Sequence, residues 1–233
     1  MKKIEDAVES VFEKLTAGID PSKLLTEEEK QALDAAEQKR QSAFYAQCRL
    51  SEMNAPKRLM MNKEKLNYDS DWGLTAASLK KLIGTGTLLV LRGKSGTGKS
   101  QLAVELMIHG ITEKELKARF VTFSEIQLKI KEGFNSGNGE AEIIKMMIKP
   151  DILTVDEFDW CPNRKENVID DYWQGIMYHV INQRYYDMKD TILTSNKTEE
   201  AFAATTIAPI KSRIEETGGL VSTDDWTDWR GLC

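Results

Sequence analysis

Eight consecutive residues, 93–100, have the types and spacing of a loop that binds phosphate groups, and they read GKSGTGKS. In the pattern G-x-x-x-x-G-K-[ST], the glycines allow a tight turn whose backbone N–H groups point at one anion. Lys99 would reach the β- and γ-phosphates of ATP, and the hydroxyl of Ser100 is a ligand for Mg²⁺. The residues expected to bind the nucleotide are therefore Gly93, Lys94, Ser95, Gly96, Thr97, Gly98, Lys99, Ser100 and the adjoining Gln101.

Two adjacent carboxylates, Asp156 and Glu157, follow the apolar run 152–155. A buried parallel strand would carry Asp156 to the sheet edge that holds the phosphate loop, where it can bind Mg²⁺ directly or through water. Glu157 could then polarise a water molecule for attack on the γ-phosphate. The pair predicts ATP hydrolysis rather than phosphate transfer to a small molecule. A strand that merely ends in an acidic turn is the structural alternative.

Two further polar residues are candidates for the same reaction. Asn196 follows the apolar run 191–194 and could hydrogen-bond the attacking water or the γ-phosphate, as sensor 1 does in AAA+ ATPases. An asparagine that caps a turn is the alternative. Arg213 lies on a predicted helix before the last strand, and it could reach the γ-phosphate of a neighbouring copy as an arginine finger. A surface ion pair is the alternative for Arg213.

A candidate DNA-binding segment follows the second predicted strand. Residues 121–137 read VTFSEIQLKIKEGFNSG, with Ser124 as the expected N-cap of a helix that carries Lys129 and Lys131. Phe134 stands beside a loop of Gly and Asn. Lysines near an aromatic ring suit single-stranded DNA, because the ring stacks on a base while the cations meet the backbone. By spacing alone, an amphipathic helix with a core phenylalanine is the favoured alternative.

The elements that must position these residues alternate between strand and helix. Apolar runs predict five strands, at 87–91, 120–123, 152–155, 191–194 and 219–222. The helical stretches between them predict an α/β fold, in which a mostly parallel sheet is covered on both faces.

The chain divides into three predicted parts. Residues 1–53 form a helical arm of two helices, the second opened by a capping box of Thr26 and Glu29. A linker covers 54–73, and the α/β core covers 74–233. The apolar stripe of the second helix is thin, which favours docking on another protein. A solvated hairpin packed on the core is the alternative.

The composition is that of a soluble globular protein, with 233 residues, 41% hydrophobic and 30% charged. No apolar run approaches the ~20 residues of a membrane span, and the N-terminus lacks the apolar core of a secretory signal. Cys48, Cys161 and Cys233 are far apart and are expected to be free thiols in the cytoplasm. The net charge of −5 argues against broad coating of DNA but does not exclude a local basic strip.

These motifs, in this order, resemble those of the DnaC-type replicative helicase loaders, including phage-encoded relatives, and of the related IstB-type transposition ATPases. The resemblance extends over roughly residues 45–231. Besides the phosphate loop and the acidic pair, it includes the segments 49–58, 121–137, 180–184, 194–196 and 212–214. The tail 220–231 is more similar to the loader ending than to the transposition one.

The resemblance implies an AAA+ ATPase core with a helical N-terminal arm and, since the chain stops just after the last strand, no C-terminal lid. It also implies ATP-dependent binding to a replicative helicase hexamer, self-association on the helicase ring, and contacts of single-stranded DNA with the helix around Lys131 and Phe134. Two alternatives stay open. One is an IstB-like ATPase that assists a transposase, and the other is a binding module switched by nucleotide with little turnover.

Overall fold

The structure is a computed structural model that describes residues 9–10, 13, 17, 26–61, 68–133, 139–159 and 171–226. The chain divides into two compact units, Met1–Cys48 and Arg49–Cys233. The division into arm, linker and core at 53/54 and 73/74 stays a prediction. In the described residues, no helix has the length and apolar character that a membrane crossing requires.

Helix α1, Glu27–Glu52, begins with the predicted capping box. The backbone N–H of Thr26 donates to Glu29 Oε2 (2.8 Å), and the N–H of Glu29 donates in return to Thr26 Oγ1 (3.3 Å). Two N–H groups that the helix itself leaves unpaired are thereby satisfied. The other helix predicted for the arm falls mostly outside the described residues.

The five predicted strands are confirmed, with ends that shift by at most two residues. They are β1 (Leu88–Arg92), β2 (Ala118–Thr122), β3 (Ile152–Asp156), β4 (Asp190–Ser195) and β5 (Gly219–Ser222). Their order in the sheet is β2-β3-β4-β1-β5, and every neighbouring pair is parallel. Strands β1, β3 and β4 are buried along their whole length, which explains why their sequences are continuous apolar runs rather than alternating ones.

Helices connect these strands and cover both faces of the sheet, as predicted. The described helices after α1 are α2 (Lys57–Met61), α3 (Asp71–Leu79), α4 (Lys99–Lys114), α5 (Phe123–Gly133), α6 (Gly139–Ile148), α7 (Asp171–Tyr186), α8 (Glu199–Thr205) and α9 (Ala208–Thr217). Leu88 and Val90 of β1 belong to a core shared with α5, α7 and α9. Leu89 and Leu91 point to the opposite face, are fully buried, and lie on the side that α4 covers.

Local signals in the sequence set the helix ends. Ser70 and Thr198 are the N-caps of α3 and α8, and each side chain accepts a backbone N–H three residues on. Pro209 lies in the first turn of α9, where its missing N–H leaves no hydrogen bond unmade. Helix α4 instead follows directly on the glycine-rich loop, so the loop and the helix form one continuous unit.

Candidate nucleotide site

The loop 93–98 joins β1 to α4 at the carboxyl edge of the sheet. Gly93, Gly96 and Gly98 all have positive φ angles, of 145°, 93° and 90°. Other residues rarely adopt these angles, so the glycines allow the chain to turn back into the helix within six residues. The first turn of α4, which follows the loop directly, has backbone N–H groups that a helix leaves unpaired, as binding of an anion requires.

The side chain of Lys99 is folded across this loop. Its Nζ donates to the carbonyl oxygens of Gly93 and Lys94, at 2.7 Å each, and the residue is buried. The ammonium group therefore lies over the loop that would surround the phosphates. Its contact with a β- or γ-phosphate stays a prediction.

The structure brings together the two residues predicted to hold Mg²⁺. The hydroxyl of Ser100 donates to Asp156 Oδ1 at 2.8 Å, although 56 residues separate them in the chain. One hydroxyl and one carboxylate are hard oxygen ligands, and they fit an ion that takes its remaining ligands from phosphate and water. In the described residues there is no cluster of three metal-binding side chains.

Glu157 directly follows β3 and has an exposed carboxylate. Its φ angle is 55°, in the left-handed region that costs a non-glycine residue about 1–3 kcal/mol. Hydrogen bonds to Thr194 hold the backbone in this conformation, because Thr194 Oγ1 accepts the N–H of Glu157 (2.9 Å) and the carbonyl of Thr194 accepts the N–H of Phe158 (2.7 Å). The turn thereby directs the Glu157 side chain away from the buried strand.

Asn196 lies at the end of β4, the strand between the phosphate-loop strand β1 and the acidic strand β3. Its side chain is exposed, and its backbone N–H donates to Asp159 Oδ1 at 3.1 Å. Ser195 Oγ donates to the same oxygen at 2.5 Å. The strand order thus places Asn196 between the ends of β1 and β3, and its role as sensor 1 stays a prediction.

A family comparison supports the interpretation of this geometry. The model of the IstB-like ATP binding protein family matches residues 16–208, most of the chain. The chain belongs to the IstB-like family. The family and fold expected from the order of the motifs are thereby confirmed. No curated protein sequence gave a significant match.

Solved structures share the fold of the IstB-like chain. The DnaC helicase loader is 18% identical, with a TM-score of 0.55 over 72% of this chain and 99% of that one. DnaI is 16% identical, with a TM-score of 0.57 over 73% and 95%. AMPPCP-bound DnaA from Aquifex aeolicus is 22% identical, with a TM-score of 0.52 over 66% and 47%. The chain thus spans about half the length of that DnaA structure, and these likenesses show a common AAA+ fold.

The sequence of the IstB-like chain did not predict the roles of two residues that shape the site. Thr194 Oγ1 donates to Asp156 Oδ1 at 2.5 Å, in addition to fixing the turn at Glu157. Asp159 fixes the turn at Asn196. Both act between β3 and β4, and their roles depend on these strands being neighbours. The only sign of these roles in the sequence was a polar residue at, or just after, the end of an apolar strand.

Gln101 has a partner that the sequence did not predict. Its Nε2 donates to the carbonyl of Leu59 in α2 at 2.9 Å, and the side chain is buried. The amide thus ties the phosphate-binding helix to the segment before the sheet. A contact of Gln101 with nucleotide stays a prediction.

Arg213 of the IstB-like chain lies against α7. Its guanidinium donates to Asn182 Oδ1 and lies 4.9 Å from the ring centre of Tyr185, with Tyr178 and Tyr186 at 5.8 and 5.9 Å. Its Nε is buried and has no hydrogen-bond partner. In the described part of the chain, its contacts are with α7 and with its own helix rather than with the phosphate loop. A role across an interface stays a prediction.

The candidate DNA-binding residues lie on α5 and just after it. Lys129 forms an ion pair with Glu125 at 2.9 Å, one helical turn away, whereas Lys131 is exposed in the last turn. Phe134 lies outside the described residues. Lys131 is therefore the lysine whose charge is exposed to solvent without competition from Glu125.

Proposed function

We propose that this chain is an ATP hydrolase that binds a replicative helicase hexamer and loads it onto single-stranded DNA. The observation that carries the proposal is the contact of Ser100 with Asp156, beside Glu157, at the edge of an AAA+ sheet. The fold likeness to the DnaC helicase loader, over 99% of that structure, supports the choice of partner.

The residues have distinct roles in the proposed reaction. Lys99 leaves the loop carbonyls for the β- and γ-phosphates, and Ser100 and Asp156 would hold Mg²⁺. When bound, Mg²⁺ offsets charge on the phosphate oxygens. Glu157 accepts a proton from the attacking water, and Asn196 orients that water toward the γ-phosphate.

ATP binding is tested by calorimetric titration with Lys99→Ala. Loss of the cation above the loop should abolish measurable affinity while the fold remains intact. Asp156→Ala should instead weaken the part of binding that depends on Mg²⁺. Lys145→Ala, which removes an exposed lysine of α6, is the control with unchanged affinity. Full affinity in Lys99→Ala would contradict the assignment.

Helicase loading is tested with the replicative helicase of the source cell. The helicase should co-purify with this chain in ATP and load onto a closed circle of single-stranded DNA, which it cannot thread unaided.

The family match favours one second candidate, an ATPase that assists a transposase. Capture of a transposase, with no capture or loading of the helicase, would favour that candidate. If the chain binds its partner protein without hydrolysing ATP, the other alternative, a binding module switched by nucleotide, is favoured.

Arg213 is proposed to complete the site of a neighbouring copy when copies assemble on the helicase ring. It must then leave the tyrosine rings of α7, since in one chain it is held there. A mixture of Arg213→Ala and Lys99→Ala chains, each inactive alone, should regain part of the ATPase activity. If mixtures that light scattering shows to co-assemble remain inactive, Arg213 acts within its own chain or stabilises the fold.

A further inference from the structure

The turn at the end of β5, residues 222–226, contacts the phosphate loop. Thr223 is fully buried, and its backbone N–H donates to the carbonyl of Arg92, the last residue of β1, at 2.8 Å. Its side-chain oxygen lies 2.6 Å from Thr97 Oγ1, inside the loop. These contacts join two segments that are 126 residues apart in the chain.

The direction of the hydrogen bond between the two threonines depends on the available protons. Thr97 Oγ1 donates to the carbonyl of Lys94 at 3.0 Å, which uses its only hydrogen. When Thr97 makes this bond, Thr223 is the donor to Thr97, although either hydroxyl of the pair can donate. The carbonyl of Lys94 also accepts from Lys99 Nζ at 2.7 Å. A chain of hydrogen bonds thus runs from Thr223 through Thr97 and the Lys94 carbonyl to the ammonium group of Lys99.

Asp224 forms an ion pair with the residue that directly precedes the same loop. Its Oδ2 accepts from Arg92 Nη1 at 2.6 Å, and Arg92 also pairs with Glu199 at 2.8 Å. Arg92, then Ser222 and the backbone N–H of Lys94, hold the pKa of Asp224 below its ordinary value. Arg92 is buried and directly precedes the loop. The ion pair therefore fixes the point from which the loop departs.

The close approach of this turn explains why residue 93 is a glycine. A Cβ at Gly93 would lie 2.4 Å from Thr223 Oγ1 and 3.0 Å from the Thr223 carbonyl carbon. The first distance is shorter than real contacts allow and the second is tighter than most of them, and the φ angle of 145° is itself unfavourable for other residues. The loop and the turn are thus fitted to each other.

We infer that Thr223 and Asp224 are positioning residues for the phosphate loop, which hold it and Lys99 in the shape that accepts the nucleotide. The inference rests on the proposed ATP binding. A loop that occupies its competent shape for only a fraction of the time binds with an affinity lowered by that fraction. Removing the Thr223 hydroxyl should therefore weaken nucleotide binding even though no atom of Thr223 belongs to the phosphate-binding motif.

The first experiment compares Thr223→Val with Thr223→Ser in titrations with ATP. Valine keeps the shape and loses the hydroxyl, whereas serine keeps the hydroxyl and loses a methyl group. The dissociation constant should rise about fivefold in Thr223→Val, the effect of ~1 kcal/mol for one hydrogen bond, and stay within about twofold in Thr223→Ser. Equal affinities in the two variants would overturn the inference.

The matched control is Thr87→Val. Thr87 is also fully buried, and its hydroxyl donates to the carbonyl of Thr217 at 3.1 Å, near the amino ends of the same strands. This variant should melt at a lower temperature but bind ATP as the parent does. If it loses as much affinity as Thr223→Val, general destabilisation explains both, and the inference is wrong.

A second measurement needs no nucleotide, and it separates this inference from the proposed function. In hydrogen exchange of the nucleotide-free protein, the amides of residues 94–99 should exchange faster in Thr223→Val and in Asp224→Asn than in the parent and in Thr87→Val. Unchanged exchange in both variants would overturn the inference while leaving ATP binding intact. Failure of the parent to bind ATP, with faster exchange in the variants, would instead overturn the proposed function alone.

Discussion

Two polar clusters lie at opposite ends of the same parallel sheet, and they use their charges differently. At the amino end, Arg184 is fully buried and donates to Thr191 Oγ1 and to five backbone carbonyls, those of Met147, Ile148, Pro150, Asp151 and Asp190. Asp190 accepts the N–H groups of Gly84, Gly86 and Thr87. Every partner belongs to the protein itself.

At the carboxyl end, the partners can be exchanged. Lys99 donates to loop carbonyls, and Ser100 donates to Asp156, and under the proposed function phosphate and Mg²⁺ would replace these contacts. The carboxylate of Glu157 is exposed. Burial of a charge with complete internal pairing is thus typical of a structural cluster. A charge held by replaceable contacts at a strand end indicates a ligand site.

Burial also sets the titration of the amino-end cluster. It lowers the pKa of Arg184 from its ordinary value to about 10, against the attraction of Asp190 and two other carboxylates. Burial likewise raises the pKa of Asp190, although three backbone N–H groups and Arg184 oppose the change. Arg184 still carries its charge at neutral pH, so the loss of either partner leaves the other in an unfavourable environment.

The largest expected effect is on stability, from Arg184→Ala. Thr191 Oγ1 and five backbone carbonyls lose their donor together. The free energy of unfolding should fall by about 3–5 kcal/mol, because several buried acceptors are left without a donor. Denaturant titration measures it. The matched control is Gln183→Ala, an exposed neighbour on α7, which should change stability by less than ~0.5 kcal/mol. If both variants lose equally little unfolding free energy, the Arg184 cluster does not stabilise the fold as expected.

The second effect is on turnover, from Glu157→Gln. The amide keeps the size of the side chain but cannot accept the proton of the attacking water. We expect kcat to fall by about 10²- to 10⁴-fold, while Mg²⁺-dependent ATP binding and the melting temperature stay near those of the parent. Steady-state ATPase assays with melting curves measure both. Glu157→Gln would thus lower turnover but not stability, whereas Arg184→Ala would lower stability. Turnover at the parent rate would mean that another residue positions the water.

The two clusters also differ in how far sequence alone predicts them. The carboxyl-end site was predictable because its residues are contiguous with apolar strands, as with Asp156 after 152–155. The fold followed from the same runs, since buried parallel strands are apolar throughout. Strand order was not predictable. The roles of Thr194 and Asp159 depend on β3 and β4 being neighbours, and that of Thr223 depends on β5 lying beside β1.

The third prediction concerns pH and the carboxyl of Asp190. Its folded-state pKa is raised above the unfolded value of 3.8. The stability that this group contributes is therefore fully present below pH 3.8 and is lost as pH rises through the folded pKa. The difference in unfolding free energy, parent minus Asp190→Asn, should fall as pH rises from about 4. The fall should be ~1.4 kcal/mol for each pH unit that separates the folded-state pKa from the unfolded one. A rising difference would mean that the three backbone N–H groups outweigh burial.

The smallest expected effect is at Lys131, on the helix that follows the carboxyl end of β2. If Lys131 meets a DNA phosphate, Lys131→Ala should lower the slope of log affinity for single-stranded DNA against log salt by at most about one unit. Lys129→Ala is the matched comparison, because Lys129 already pairs with Glu125 at 2.9 Å and should change the slope less. Fluorescence anisotropy with a labelled oligonucleotide at several salt concentrations measures both slopes. If the two variants give the parent slope, α5 presents no cation to DNA. The replaceable contacts of the carboxyl end would then serve nucleotide alone.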